Sequence, residues 1–163
     1  TNFFSYYPFL LPATLLAEAN QDKYLYQLLS KEKIKNRQTY KIRVEPRRNK
    51  TESINHGIVW IDPTDGSVIK IELNPTSLRG IRRLTKKAWI KGTRLKIIDI
   101  HWYDVKRKGI RFPSRTEIYG IYVPKDTSNR ARLKSMEEAN TIFMYNNYKF
   151  FYVNVDVVEA KNE

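Results

Sequence analysis

Two histidines, His56 and His101, supply the only imidazoles of the 163-residue chain, and cysteine is absent. His101 follows Asp99 by two positions, so a strand places both on one face, where a carboxylate can orient an imidazole. Nucleophilic catalysis needs a third, hydroxyl-bearing partner, and the chain has no Gly-x-Ser-x-Gly elbow. The pair therefore reads as a surface feature of a strand, and no catalytic residue is assigned.

The other acidic groupings are Asp99 with Asp104 and Glu137 with Glu138. Neither sits in a pattern that would separate two carboxyl pKa values, as acid and base catalysis requires. Asp62-Pro-Thr-Asp65-Gly66 has the outline of a calcium loop but lacks the third oxygen ligand and the distal glutamate. A tight turn accounts for it, so no metal and no cofactor are expected. The six glycines are scattered, which leaves no phosphate-cradling loop. Asn49-Lys50-Thr51 fits a glycosylation acceptor, which matters only in a eukaryotic secretory setting.

The strongest chemical signal is positive charge. Lys and Arg number 30 against 17 Asp and Glu, a net charge of +13 that favours polyanions, acidic lipid head groups or an acidic partner. Between Asn74 and Ile98 the chain has eight Lys or Arg and no acid. Residues 76–91 repeat Leu78, Ile81, Leu84 or Thr85, and Ala88 at helical spacing, with Asn74-Pro75 as a cap and Gly92 as a stop. Arg79, Arg82, Arg83, Lys86 and Lys87 then line the other face of that predicted helix, with Trp89 near its end. Such a helix can rest on an anionic membrane, cover the sheet as a solvated face, or grip a nucleic-acid backbone. Nucleic acid is the less favoured of these, because Tyr40-Lys41-Ile42-Arg43 puts ring and cation on opposite faces and no RNP or KH signature occurs.

The elements that must position these residues are mostly strands. Hydrophobic residues are 41%, charged residues 29% and aromatics 13%, a globular composition rich in strand-forming rings. The length suits one domain, residues 1–163. No apolar run reaches the roughly 18 residues that spanning a bilayer takes. Thr1 to Ala17 is apolar but lacks a basic leader and is broken by Pro8 and Pro12, so it reads as packed chain rather than a signal peptide. Residues 12–20 suggest a short helix, and residues 23–34 fit either helix or strand.

Tyr40, Ile42 and Val44 alternate with Lys41, Arg43 and Glu45, a half-buried strand. Residues 57–62 and 67–73 flank Pro63-Thr-Asp-Gly66, a hairpin with its turn residues in place. Strands over 93–104 and 110–123 are joined through Lys106-Arg-Lys-Gly109. In the first, Ile98, Ile100 and Trp102 are the expected apolar face against Asp99 and His101. In the second, Phe112, Ile118 and Tyr122 oppose Arg115 and Glu117. Residues 124–137 read as loop or short helix, and 141–145 and 148–155 as closing strands. The sum is a mainly β chain with a few helices, a curved antiparallel sheet.

In order, Tyr40 to Pro46, Gly57-Ile-Val-Trp-Ile-Asp62, Gly66-Ser-Val-Ile-Lys-Ile-Glu72, Ile110-Arg-Phe-Pro-Ser-Arg115 and Tyr148-Lys-Phe-Phe151 form a recognisable series. It resembles the later part of the bacterial LolA-like proteins, the outer-membrane lipoprotein-sorting group and its uncharacterised relatives, over residues 23–155. The resemblance implies an open half-barrel with a covering helix, possession of fewer N-terminal elements than the family has, and a place in the periplasm or cell envelope. It implies a strand over 23–34, hairpinned through Lys35-Asn36. It also implies a non-catalytic carrier whose partner is a lipid or lipoprotein. Tyr40, Ile42, Val44, Ile69, Ile71, Leu73, Ile98, Ile100, Trp102, Phe112, Ile118 and Tyr122 are then expected to share one concave apolar face. Each methylene of an acyl chain buried there would contribute about 0.8 kcal/mol. A basic module for nucleic acid or another polyanion is the alternative.

Overall fold

A computed structural model describes residues 12–47, 55–77, 86, 88–90, 92–124 and 138–149. Its strands are β1 (Tyr24–Ile34), β2 (Arg37–Pro46), β3 (Gly57–Ile61), β4 (Val68–Leu73), β5 (Thr93–Trp102), β6 (Val105–Arg107), β7 (Ile110–Phe112), β8 (Arg115–Pro124) and β9 (Glu138–Met144). Seven of them form one antiparallel sheet in the order β1-β2-β3-β4-β5-β8-β9, which does not close into a barrel, and β6 and β7 pair separately. The mainly β architecture is thus the expected one. Glycosylation at Asn49, all but the first two residues of the expected strand 148–155, Glu137 and most of the 124–137 loop fall outside the described residues, as do Arg79, Arg82, Arg83 and Lys87; Tyr148 and Lys149 are not in a strand.

Local chemistry explains the hairpins. Lys35 and Asn36 both take positive φ, 47° and 65°, so the two-residue turn between β1 and β2 matches the twist of its strands. At the β3–β4 turn Gly66 has φ 68°, the Gly66 N–H donates to the Asp62 carbonyl, and the Asp62 side chain accepts from the Thr64 N–H. Gly57 is glycine for a different reason: a Cβ there would lie 2.1 Å from the Glu72 carbonyl oxygen on β4. Pro12 opens a 3-10 turn (Pro12–Leu15), followed by another over Glu18–Lys23, where a short helix was expected. Of the predicted helix 76–91, the described parts are a 3-10 turn at Pro75–Ser77 and helical residues at 86 and 88–90. It ends at Gly92, whose φ is 68°.

Residues paired across antiparallel strands share a face, so the register assigns every side chain to one side of the sheet. Val44, Gly57 and Leu73 form one row, and Ile42, Val59 and Ile71 the next. This inner face carries the core: Val44, Val59, Ile71 and Leu73 pack with Tyr24, Leu15 and Tyr103. Each such aliphatic contributes about 1.5–3 kcal/mol by leaving water.

The register also corrects the expected face of β5. Ile71 pairs with His101 and Leu73 with Asp99, so Asp99 and His101 point inward. Ile98, Ile100 and Trp102 lie on the outer face, opposite Tyr119, Glu117 and Arg115. The two sides of β5 are almost equally apolar, since Leu95 and Ile97 share the inward parity, and alternation could not choose between them. Phe112 departs as well: it belongs to the β6–β7 ribbon and packs against Tyr148, ring centres 5.1 Å apart and tilted by 41°. The other eight members, Tyr40, Ile42, Val44, Ile69, Ile71, Leu73, Ile118 and Tyr122, keep the inward parity.

Candidate functional site

Three arrangements on this sheet have functional chemistry to offer. The first is a cleft of about 510 Å³ where β2, β3 and β4 end, lined by Val44, Gly57, Ile58, Leu73 and Pro75 together with polar groups such as Arg43 and His56. Its floor is the row Val44, Gly57 and Leu73, drawn together because the β4 backbone fills the space a side chain at Gly57 would take. Its wall is the loop after β4: the Asn74 N–H donates to the His56 carbonyl at 2.7 Å, and the buried Ser77 hydroxyl donates to the Asn74 carbonyl at 2.7 Å. The size lies within the usual range for small-molecule sites, roughly 300–1,000 Å³. Deeper along the inner face Leu15 and Tyr103 already cover the wall, so the chain's own side chains occupy that part.

The second is a buried polar string on the same face. His101 Nδ1 lies 2.8 Å from Thr116 Oγ1, and the Tyr145 hydroxyl donates to Thr116 Oγ1 at 3.1 Å. On the other side of the ring, His101 Nε2 stands 2.9 Å from Asp99 Oδ1, with its N–H out of line for a good hydrogen bond. Burial, offset in part by the Thr116 contact and reinforced by the Asp99 charge, pushes the Tyr145 phenol above its ordinary range. The Asp99–His101 pair was expected at the surface, and the structure corrects this: both are buried, His101 at 2% exposure. Thr116 is fully buried and already engaged, so its hydroxyl is poorly placed to attack a substrate.

The third lies on the outer face. Lys41, Trp60, Lys70, Trp102, Arg115 and Met144 form a single row across six strands. Lys41 and Lys70 sit 5.3 and 4.1 Å from the Trp60 ring centre, and Lys70 and Arg115 sit 5.5 and 5.6 Å from that of Trp102. Such contacts are favourable through the ring quadrupole. The neighbouring row supplies anions, with Lys70–Glu72 at 3.0 Å and Arg115–Glu117 at 2.6 Å. Trp60 is 3% exposed and its indole N–H donates to the Glu32 carboxylate, so this ring offers no stacking surface. Cation and ring do share a face, but across strands rather than along β2, where alternation had separated them. Their charges are met locally, which disfavours a nucleic-acid platform here.

The Ser-x-x-Lys spacing of Ser67 and Lys70 does not make a dyad. Ser67 Oγ contacts Asp65 and accepts from Arg111 Nε at 2.6 Å, while Lys70 turns to Glu72. The Asp62–Gly66 loop has both carboxylates engaged in its own turn, and among the described residues no three His, Asp or Glu side chains converge on a point. Also among them, no helix is long and apolar enough to cross a membrane. Lys86 is exposed, Ala88 is buried, and Trp89 and Ile90 are each 69% exposed. Comparison with protein-family models, with curated proteins and with solved structures returned no match to this chain.

Proposed function

We propose that this protein is a non-catalytic binding protein of the bacterial cell envelope that takes an amphiphile, a lipid or the lipid-modified end of a protein, in the cleft at the end of β2–β4. The observation that carries the reading is the cleft itself, where Ile58 and Pro75 offer apolar surface over the buried Val44 and Leu73, and Arg43 and His56 stand at the same mouth with Glu45 and Glu72. An acyl segment lies against Ile58 and Pro75, and a polar head meets the mixed charges of the mouth. Because Leu15 and Tyr103 fill the middle of the wall, the ligand surface is smaller than the full inward set, and Tyr40, Ile118 and Tyr122 are framework rather than contact. The resemblance to lipoprotein-sorting proteins favours the same ligand class, and the buried, engaged Thr116 favours a binding role over catalysis.

The half-buried Ile58 and the exposed Pro75 can be enlarged without disturbing the core. Displacement of a fluorescent fatty acid should be saturable for the native chain. Ile58→Trp and Pro75→Trp should each weaken it about tenfold, a loss of about 1.4 kcal/mol, with unchanged thermal midpoints. Native binding that is absent, or variants that bind as tightly as the parent, would reject the cleft as the ligand site.

A further inference from the structure

The exposed pair Trp89–Ile90 is not absorbed by the cleft or by either face of the sheet. Ala88, 1% exposed, anchors this helical turn and thereby turns its next two side chains outward. The turn is also tied to β5: the Gly92 N–H donates to the Trp89 carbonyl at 3.0 Å, and the Thr93 hydroxyl donates to the Ala88 carbonyl at 3.0 Å. The two apolar side chains are thus displayed from a fixed support.

The charge around them differs from that of the sheet. Lys41, Arg43, Lys70 and Arg115 each have a carboxylate within 3.9 Å. Lys86, Arg94 and Lys96, all exposed and all within seven positions of Trp89, have none among the described residues. The sequence from Asn74 to Ile98 contains no acid that could meet them locally. A tryptophan beside an aliphatic residue, with uncompensated cations close to it along the chain, matches the depth profile of a negatively charged bilayer surface. The indole settles at the head-group level, the apolar neighbour reaches the acyl boundary, and the cations remain at the phosphates. A nucleic-acid backbone would use the cations but gains little from Ile90.

We propose that the Trp89–Ile90 turn, with Lys86, Arg94 and Lys96, docks the protein on an anionic phospholipid membrane. The inference is independent of the cleft and survives if no ligand enters it.

Co-sedimentation of the full chain with vesicles of equal parts phosphatidylglycerol and phosphatidylcholine tests it, with pure phosphatidylcholine vesicles alongside. Binding to the anionic vesicles should be strong and should weaken as salt is added, whereas binding to the neutral ones should be slight. Trp89→Ser with Ile90→Ser should weaken binding at least tenfold and abolish the vesicle-induced blue shift of tryptophan emission. Replacing Lys86, Arg94 and Lys96 by Ala should cost about a hundredfold, since each surface cation counts about fivefold. Circular dichroism of each variant verifies the fold. Equal binding to both vesicle types would overturn the proposal, as would a blue shift that persists without Trp89. So would a charge variant that fails while the Trp89/Ile90 variant binds normally and duplex DNA displaces the protein from vesicles, because the turn would then be a polyanion site.

Discussion

Thr116 is the side chain on which the buried polar string depends, since its single oxygen meets both His101 Nδ1 and the Tyr145 hydroxyl. Threonine to valine keeps shape and β propensity while deleting that oxygen, which takes the partner from His101 Nδ1 in a buried site and one hydrogen bond from the half-buried Tyr145 hydroxyl. A buried orphan costs about 1–3 kcal/mol, against about 1 kcal/mol for a single ordinary hydrogen bond. Thr116→Val should therefore lower the free energy of unfolding by about 1–3 kcal/mol, and Tyr145→Phe by about 1 kcal/mol or less, as read from urea midpoints at constant slope. Equal, small losses in both would show that the string contributes little. The spacing of Asp99 and His101 was legible in the sequence, but their burial was not. A strand with Ile98, Ile100 and Trp102 on one side and Leu95 and Ile97 on the other carries no contrast to reveal which side faces the core. Thr116 was missed for a related reason: an isolated threonine has no pattern of its own, and only the pairing of His101 with Thr116 brings it into view.

At the scale of elements, the β3–β4 hairpin shows where sequence reasoning succeeds, because the turn chemistry is local. Pro63, Asp65 and Gly66 fix the backbone at the turn, and the flanking runs 57–62 and 67–73 then pair without help from distant contacts. The β5–β8 connection shows the opposite. The turn within Lys106–Gly109 is where it was expected, but the strands do not run unbroken into it: β6 and β7 pair as a separate ribbon, and Tyr103 is drawn inward, its N–H donating to the Ile69 carbonyl at 3.0 Å. That tertiary contact has no local signature. The hairpin also predicts a pH response. The Thr64 N–H, with help from Arg37 and against burial, holds the Asp62 carboxyl below its ordinary range. Lys106 and Ser67 hold that of Asp65 well below it. Both carboxyls have folded-state values depressed below the unfolded ones, so their stabilisation is complete above the ordinary carboxylate range and is lost as pH falls through and beneath it. Urea midpoints should therefore drop between pH of about 5.5 and about 3, and the drop should be smaller in the Asp62→Asn/Asp65→Asn double variant. An identical pH dependence in the double variant would place the acid sensitivity elsewhere.

For the whole molecule, the sign and placement of charge matter more than any one pair. A net charge of +13 on a chain of this size is self-repulsive, and the compact state concentrates it. The outer-face pairs work in the opposite sense, but exposed ion pairs contribute only about 0–1 kcal/mol each. Screening should therefore relieve more repulsion than it removes attraction, and the thermal midpoint should rise by a few degrees between about 10 mM and about 150 mM salt, as the Debye length shrinks from roughly 30 to 8 Å. Attachment to anionic vesicles should fall over the same range, because there the uncompensated cations are the attractive partner. The mainly β character and the excess of cations were both legible from composition and alternation. Part of the charge pairing was legible as well, because Arg43–Glu45, Lys70–Glu72 and Arg115–Glu117 are neighbours two positions apart on one strand, whereas Arg94 and Lys96 have no acid at that spacing and face Val123 and Ile121. The Lys41–Glu32 pair and the two indole rings beside Lys70 emerge only from the cross-strand register. Opposite salt dependences of stability and vesicle binding are the signature of that division. A midpoint that falls with salt would mean that the outer-face pairs, and not the repulsion among unpaired cations, govern the electrostatics of the fold.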